Sequence, residues 1–147
     1  MFYRLRETKD KLPFWYDELG SFREEVVLKH KRSIPDIEDR LVVEKVNCVT
    51  LLALMRKHGV RYVDLLQMDL EGYDAHIIKS IDFGVFKPEM IRYENKHLIP
   101  SENEACVCLL KHNGYAIMKH DEGNTLAYLP FRCRKPFESS GRNPATD

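Results

Sequence analysis

The sequence predicts a three-layer α/β fold, in which helices cover both faces of a largely parallel sheet. Between residues 41 and 112, short apolar runs alternate with segments of helical spacing, as expected when parallel strands are joined by helical crossovers. The run at residues 62–68 (YVDLLQM) is nearly continuously apolar at its centre, which is typical of a strand buried on both faces. Beyond Gly114, two further runs flank the turn sequence HDEGN, which favours an antiparallel hairpin that closes the sheet.

The composition is that of an ordinary globular protein and argues against several classes of partner. The chain has 147 residues, 44% of them apolar and 31% charged, and its formal net charge of zero argues against nucleic acid or an anionic membrane. No apolar run approaches the roughly 20 residues that span a bilayer, and the N-terminus lacks a signal-peptide core. Four cysteines without a CxxC pair indicate reduced thiols, so we expect a cytoplasmic protein.

Residues 1–40 are predicted to form an irregular or helical N-terminal segment. The opening sequence FYRL is compatible with a short strand, and Ser21 with Glu24 fits a capping box that opens a helix. The aromatic run FWY at residues 14–16 favours a hydrophobic plug over the sheet, with a substrate-pocket wall as the alternative. His30 is expected to be solvated or to lie at a helix end.

The rest of the chain is predicted to form one α/β domain at residues 41–130, followed by a loose tail at 131–147. Thr50 is suited to cap the first helix of this domain, and Gly59 ends that helix. The predicted order is strand 41–49, helix 51–58, strand 62–68, helix 74–81, strand 89–94, helix 101–113 and the hairpin strands 115–119 and 125–129.

Three acidic residues follow the two strands that we expect to be parallel neighbours. Asp69 and Glu71 come directly after the strand at 62–68, and Glu94 ends the next strand. Neighbouring parallel strands lie about 4.8 Å apart, and their carboxyl ends meet at the edge where α/β folds bind ligands. We therefore expect these carboxylates to share one small volume, with His97 near enough in sequence to join them.

This acidic group indicates two kinds of chemistry. Carboxylates so close together suit a general base for a hydroxyl or a set of oxygen ligands for a divalent cation. Helix capping is the expected role of Asp74, and for Glu71 a structural role in the turn is as well supported as a role in the site. A metal-dependent hydrolase built on Asp69, Glu71 and Glu94 is the weaker interpretation, because the chain lacks a His-rich ligand set, so no metal is assigned.

The glycines offer no turn for a nucleotide-type cofactor. All seven glycines are isolated, so the sequence contains no GxG, P-loop or GxSxG element. Nucleotide and nucleoside cofactors normally need such a turn, because only glycine lets the backbone approach them closely.

Three segments resemble the FkbM family of S-adenosylmethionine-dependent methyltransferases. VDLLQMDLEGYDAHIIKSIDF at 63–83 is similar to the family's I-D-x-L-K-I-D-x-E-G-x-E strand and the apolar helix after it, with Asp74 where Glu is more usual. KPEMIRYENKHL resembles the following strand, which ends in Glu, and LGSF at 19–22 resembles a Gly-Ser motif upstream. The resemblance covers residues 13–129.

This resemblance implies the C-terminal half of a Rossmann-like methyltransferase sheet and S-adenosylmethionine as cofactor. The reaction it implies is methyl transfer to a hydroxyl of a small molecule or a sugar. Asp69 would lie beside the methionine end of the cofactor, and Glu71 and Glu94 would line the acceptor pocket. On this hypothesis Asp69 or Glu71 is the base or hydrogen-bond partner of the acceptor, and Glu94 orients it.

The family's Gly-rich cofactor-binding half would precede Met1, so the resemblance implies a truncated or split methyltransferase. The alternative is a non-catalytic remnant or partner module, which would pair through an exposed sheet edge near residues 41–49. Such a module is expected to form a homodimer or to bind a complementary chain.

Overall fold

The computed structural model describes residues 1–119 and 123–130, so the predicted tail lies outside the described residues. Its strands are β1 (Phe2–Leu5), β2 (Gly20–Ser21), β3 (Leu41–Glu44), β4 (Leu65–Gln67), β5 (Met90–Glu94), β6 (Ala116–Lys119) and β7 (Asn124–Tyr128). Its α-helices are α1 (Glu24–Leu28), α2 (Ile37–Arg40), α3 (Leu51–Lys57), α4 (Asp74–Ser80) and α5 (Pro100–His112). Short 3₁₀ helices lie at Tyr16–Glu18 and Lys29–Arg32. Within the described ranges, no helix has the length and apolar character needed to cross a membrane.

The larger sheet has the strand order β4-β5-β7-β6. Strands β4 and β5 are parallel, as predicted, with Gln67 opposite Arg92, and the N–H of Met68 donates to the carbonyl of Arg92 at 2.9 Å. Strand β7 runs antiparallel to both β5 and β6, which confirms the predicted closing hairpin, although its turn at 120–122 lies outside the described residues. The chain therefore folds as a mixed α/β protein.

Strand β5 lies at the centre of the main core. Ile91 and Tyr93 are both fully buried, and the alternation of a strand places them on the same face. The Tyr93 hydroxyl donates to Oδ1 of Asn103 in α5 at 2.9 Å, which fixes that helix against the sheet. The helices contribute further buried side chains to this core, among them Met55, Ile78, Cys106 and Leu110.

The prediction that residues 41–49 form a strand of the main sheet is wrong. The strand ends at Glu44 and belongs to a second, antiparallel sheet of order β2-β1-β3. Leu5 lies opposite Leu41, and Arg4 Nε donates to Oε1 of Glu44 at 3.0 Å, so β1 offers both apolar and charged contacts to β3. Strand propensity does not identify the pairing partner, which here is the FYRL strand. The domain boundary predicted just before β3 therefore falls between paired strands. Among the described residues β4 is an edge of the main sheet and Leu65 is 46% exposed, so the prediction of a strand buried on both faces is wrong.

The aromatic run at 14–16 divides between three environments. The sheet β2-β1-β3 and the short helices between its strands form an N-terminal unit at residues 2–44. Tyr16 is buried in the core of this unit, and its hydroxyl donates to the carbonyl of Arg6 at 2.8 Å. Phe14 is 93% exposed. Trp15 is partly buried and lines a cavity that is described below. The plug interpretation therefore fits Tyr16, which covers the N-terminal core rather than the main sheet.

Candidate active site

The chain makes a sharp turn directly after β4, and this turn carries Glu71. Glu71 adopts a left-handed backbone conformation with φ of 48°, which is uncommon for a residue other than glycine. Gly72 follows with φ of 89°, and a Cβ there would lie 3.2 Å from Cβ of His97 and 3.3 Å from Cγ2 of Val26. Glycine is therefore required at this position both by its dihedral angle and by the close approach of two side chains.

The N-terminal unit holds this turn in place through Ser21. The Ser21 hydroxyl is buried and donates to the backbone carbonyl of Glu71 at 2.7 Å. It also accepts from the N–H of Arg23 at 3.0 Å, so it is not the helix cap with Glu24 that the sequence predicts. A buried hydrogen bond to the carbonyl of a residue with positive φ stabilises a conformation that costs energy by itself.

Asp74 links the ends of the two parallel strands. It is fully buried, and its Oδ2 accepts from the N–H of Leu70 at 3.1 Å while its Oδ1 accepts from the N–H of Glu94 at 3.3 Å. Burial raises the pKa of Asp74, although both of these backbone donors act in the opposite direction. The prediction that Asp74 caps helix α4 is therefore wrong, because its oxygens bind the strand ends instead.

Glu71, Glu94 and His97 meet at the carboxyl ends of β4 and β5. His97 Nε2 lies 3.0 Å from Oε2 of Glu71 and 3.8 Å from Oε2 of Glu94, and one donor atom from each residue lies within 4.8 Å of the others. His97 and Glu94 are buried, with 7% and 9% of their surface exposed. Despite the short distances, none of these three atoms has a partner in hydrogen-bond geometry among the described residues.

The pKa values of the two carboxylates in this cluster are shifted in opposite directions. The His97 imidazole holds the pKa of Glu71 below its usual range, against the effect of burial. Burial raises the pKa of Glu94, and the negative charge of Asp69 raises it further. Two neighbouring acids with separated pKa values are the usual basis for different roles in acid–base chemistry.

Asp69 lies at the same rim but outside this cluster. It is two residues beyond Gln67 in β4, as Glu94 is two residues beyond Arg92 in β5, and these partners are in register. Its side chain is exposed, and its charge raises the pKa of both Glu94 and Asp74. The structure thus brings Glu71 and Glu94 together with His97, as the sequence predicts, and leaves Asp69 facing solvent beside them.

A cavity of about 230 Å³ adjoins Glu71 on the side of the N-terminal unit. Its walls are formed by Trp15, Glu18, Leu19, His30, Glu71 and Lys96. The Trp15 and His30 rings are in contact at a centroid distance of 4.6 Å, so the aromatic run does supply one pocket wall.

His30 is a member of this cavity that the sequence does not predict. Its Nε2 is buried without a hydrogen-bond partner among the described residues, and burial lowers its pKa. His30 is half-buried and lies just after helix α1, so the expected position at a helix end is confirmed, whereas its place in the cavity is not predicted. No local pattern identifies it, because its burial depends on the packing of Trp15 from a separate loop.

The mixed sheet carries buried ionisable side chains at the carboxyl ends of two parallel strands. This combination defines the general class of the protein. These features are typical of α/β proteins that bind a ligand at this edge of the sheet. The chain belongs to the FkbM methyltransferase family, since the model of the methyltransferase FkbM domain matches residues 14–129. This match confirms the resemblance. It includes strand β2, the Gly-Ser strand, and the acidic cluster of Glu71, Glu94 and His97. Comparisons with curated proteins and with solved structures found no match.

Proposed function

We propose that the protein takes part in S-adenosylmethionine-dependent methyl transfer to a hydroxyl group of a small molecule or a sugar. The family supports methyl transfer, and the strand order β4-β5-β7-β6 fits the C-terminal half of a Rossmann-like methyltransferase sheet. The observation that carries the proposal is the buried cluster of Glu71, Glu94 and His97, of which Glu71 also lines the cavity. A cytoplasmic location remains part of this proposal.

The residues of this chain fit an acceptor site better than a cofactor site. Asp69, exposed at the end of β4, fits a contact with the methionine end of S-adenosylmethionine, which when bound supplies the methyl group. The seven isolated glycines of the sequence include no turn of the kind that holds most of such a cofactor.

Glu94 is better suited than Glu71 to be the base. Its raised pKa gives it the greater proton affinity, while the lowered pKa of Glu71 suits a fixed hydrogen-bond acceptor. This assignment reverses the roles that the sequence suggests for the two residues. His97 Nε2 lies 3.0 Å from Oε2 of Glu71 and is placed to position that carboxylate, which lines the cavity.

The cavity favours a polar acceptor with one flat apolar face. Trp15 offers a ring for stacking, while Glu18 and Lys96 offer an acceptor and a donor for hydroxyl groups. A sugar combines these properties. A long acyl chain does not match a cavity of about 230 Å³ with charged walls.

Labelled methyl transfer is the direct test of this function. The purified chain is incubated with S-adenosylmethionine carrying a tritiated methyl group and a panel of monosaccharides and small alcohols. We expect a labelled product, at least a tenfold slower rate for Glu94→Gln, and an unchanged rate for Glu104→Gln, whose side chain is exposed on α5. Calorimetry that shows no heat with S-adenosylmethionine or its demethylated product, together with no labelled product, would exclude the function for this chain.

The edge of the main sheet favours a second candidate, a non-catalytic module that pairs with another chain. Within the described residues, β4 pairs only with β5, and its Leu65 is 46% exposed while the nearby Tyr62 is 51% exposed. This edge differs from the one predicted near residues 41–49. Sedimentation velocity should then show a dimer that Leu65→Lys converts to a monomer. A monomer at all concentrations would leave pairing with a different chain as the only form of this candidate.

A further inference from the structure

We propose that Glu71, Glu94 and His97 bind a divalent transition-metal ion, for which Zn²⁺ is the representative. Each residue contributes one donor atom, and the three donor atoms lie within 4.8 Å of one another. The proposal does not depend on acidic residues alone. His97 is more than nine-tenths buried, and its Nε2 faces both carboxylates without a hydrogen-bond partner among the described residues.

The distances between the donor atoms suit a metal ion after small rotations of the side chains. Zn²⁺ binds nitrogen and carboxylate oxygen at about 2.0–2.2 Å, so ligand atoms in tetrahedral geometry lie roughly 3.3–3.6 Å apart. The two distances from His97 Nε2, 3.0 Å to Glu71 and 3.8 Å to Glu94, lie just below and just above this range. Rotation of one carboxylate would bring its oxygen to the distance that the ion requires.

The local charge favours a cation. Two carboxylates of the cluster and the neighbouring Asp69 place negative charge around one point, which is costly in a buried site. The Nζ amine of Lys96 lies 3.9 Å from Oε1 of Glu94, whereas His97 Nε2 faces the other oxygen, Oε2. Oε2 of Glu94 therefore remains for a ligand, and a dication would offset the repulsion between the acids.

The ligand set indicates a transition metal rather than Mg²⁺ or Ca²⁺. Those hard cations prefer six or more oxygen ligands, whereas one imidazole and two carboxylates suit Zn²⁺ and similar ions. Three protein ligands leave at least one coordination position open, as in catalytic zinc sites. Since Glu71 also lines the cavity, a molecule bound there would lie beside that position.

The supports of the ligands are already fixed by other contacts. Ser21 holds the Glu71 carbonyl, Asp74 accepts from the Glu94 N–H, and Gly72 lies against Cβ of His97. Metal sites need such rigid support, because poorly held ligands lose affinity.

The test is a titration of the chelator-treated full chain with Zn²⁺ by calorimetry, and with Co²⁺ by absorption spectroscopy. We expect one equivalent of bound ion, and affinities at least about 100-fold weaker in His97→Gln and Glu94→Gln, since even indirect supports of metal ligands contribute 10–100-fold. The controls His112→Gln and Glu104→Gln change exposed residues and should bind as the original protein does. The Co²⁺ spectrum should lack a thiolate charge-transfer band, which separates this site from the four cysteines.

Two results would overturn the proposal. One is equal affinity in all four variants, which would mean adventitious binding by surface histidines or thiols; the other is the absence of saturable binding. If His97→Gln does not fold, the test becomes a comparison of thermal unfolding between the original protein and Glu71→Gln. Saturating Zn²⁺ must then raise the melting temperature of the original protein but not of Glu71→Gln. Because no readout involves methyl transfer, metal binding by an inactive chain would contradict only the proposed function. Glu94 cannot act as the base while it holds the ion, so the acid–base role proposed above belongs to the ion-free cluster.

Discussion

The carboxylate of Asp74 accepts a hydrogen bond from the backbone N–H of Glu94 at 3.3 Å, which joins the start of helix α4 to the end of strand β5. Its second oxygen accepts from the N–H of Leu70 after strand β4. One buried side chain thereby sets the separation of the two strand ends that carry the acidic cluster. The position of the functional groups depends on this residue, although it does not face the cavity itself.

Replacement of Asp74 by Asn should lower the free energy of unfolding by about 1–3 kcal/mol. An amide has one oxygen, so one of the two backbone N–H groups loses its acceptor in a buried place. Urea unfolding followed by circular dichroism measures this loss. Asp17→Asn, at an exposed position, should change the value by less than about 0.5 kcal/mol. Equal midpoints for the two variants would show that Asp74 does not hold the strand ends.

Gly59 and Gly72, two of the three described glycines with positive φ, should respond differently to substitution by alanine. Gly59→Ala faces only the cost of the left-handed conformation, about 1–2 kcal/mol, because no atom lies within 4 Å of the new Cβ. Gly72→Ala must in addition displace His97 and Val26, and overpacking of this kind adds at least about 1 kcal/mol. Unfolding in urea compares the two, and the same proteins titrated with Zn²⁺ should show weaker binding only for Gly72→Ala. A Gly72→Ala protein as stable as Gly59→Ala would disprove the crowding.

Alkaline pH should weaken the fold through two buried tyrosines. Burial raises the pKa of Tyr115 well above its usual range and that of Tyr93 to about 12. The folded protein therefore keeps protons that the unfolded chain releases above about pH 10, so stability is lost as the pH rises, by up to about 1.4 kcal/mol per pH unit for each tyrosine.

Tyr115→Phe should reduce this pH dependence, because one of the two titrating groups is removed. It also removes the hydrogen bond that the Tyr115 hydroxyl donates to the carbonyl of Pro88, so its stability should be lower near neutral pH. The measurement is the free energy of unfolding in urea at several values between about pH 9 and 11. Parallel curves for the original protein and the variant would rule out Tyr115 as a source of the dependence.

Glu94→Gln should stabilise the metal-free protein by about 1 kcal/mol, as is common when a functional group is removed from a strained site. The substitution removes a buried negative charge that faces Glu71 and is repelled by Asp69. Thermal unfolding in the presence of a chelator measures the effect, with Glu104→Gln as the neutral control. A lower melting temperature for Glu94→Gln than for this control would mean that the ionised carboxylate stabilises the fold.

Sequence patterns were sufficient to predict the parallel pair and the closing hairpin of the main sheet, and the meeting of Glu71 and Glu94. The apolar run before Asp69 and the strand that ends in Glu94 indicate parallel neighbours, and parallel strands bring their carboxyl ends to one edge. The hairpin follows in the same way from its turn residues. These features depend on periodicity and chain direction, which a sequence displays directly.

The remaining features depend on contacts between distant parts of the chain. Strand propensity at 41–44 does not reveal β1 as the partner, and a carboxylate at a helix start looks like a cap whether or not strand ends lie beside it. The burial of His30 requires the Trp15 ring, which approaches from another loop. The order of residues along the chain does not reveal which distant segments come into contact.

The hydrogen bond from Ser21 to the carbonyl of Glu71 joins residues that are 50 positions apart in the sequence. The short motif DLEG therefore does not carry its own geometry. Transplanted alone onto the strand end of another α/β protein, it should relax to an ordinary turn with Glu71 aimed elsewhere. A protein engineer who wants this carboxylate in place must graft the Gly-Ser strand together with the motif, as one discontinuous unit.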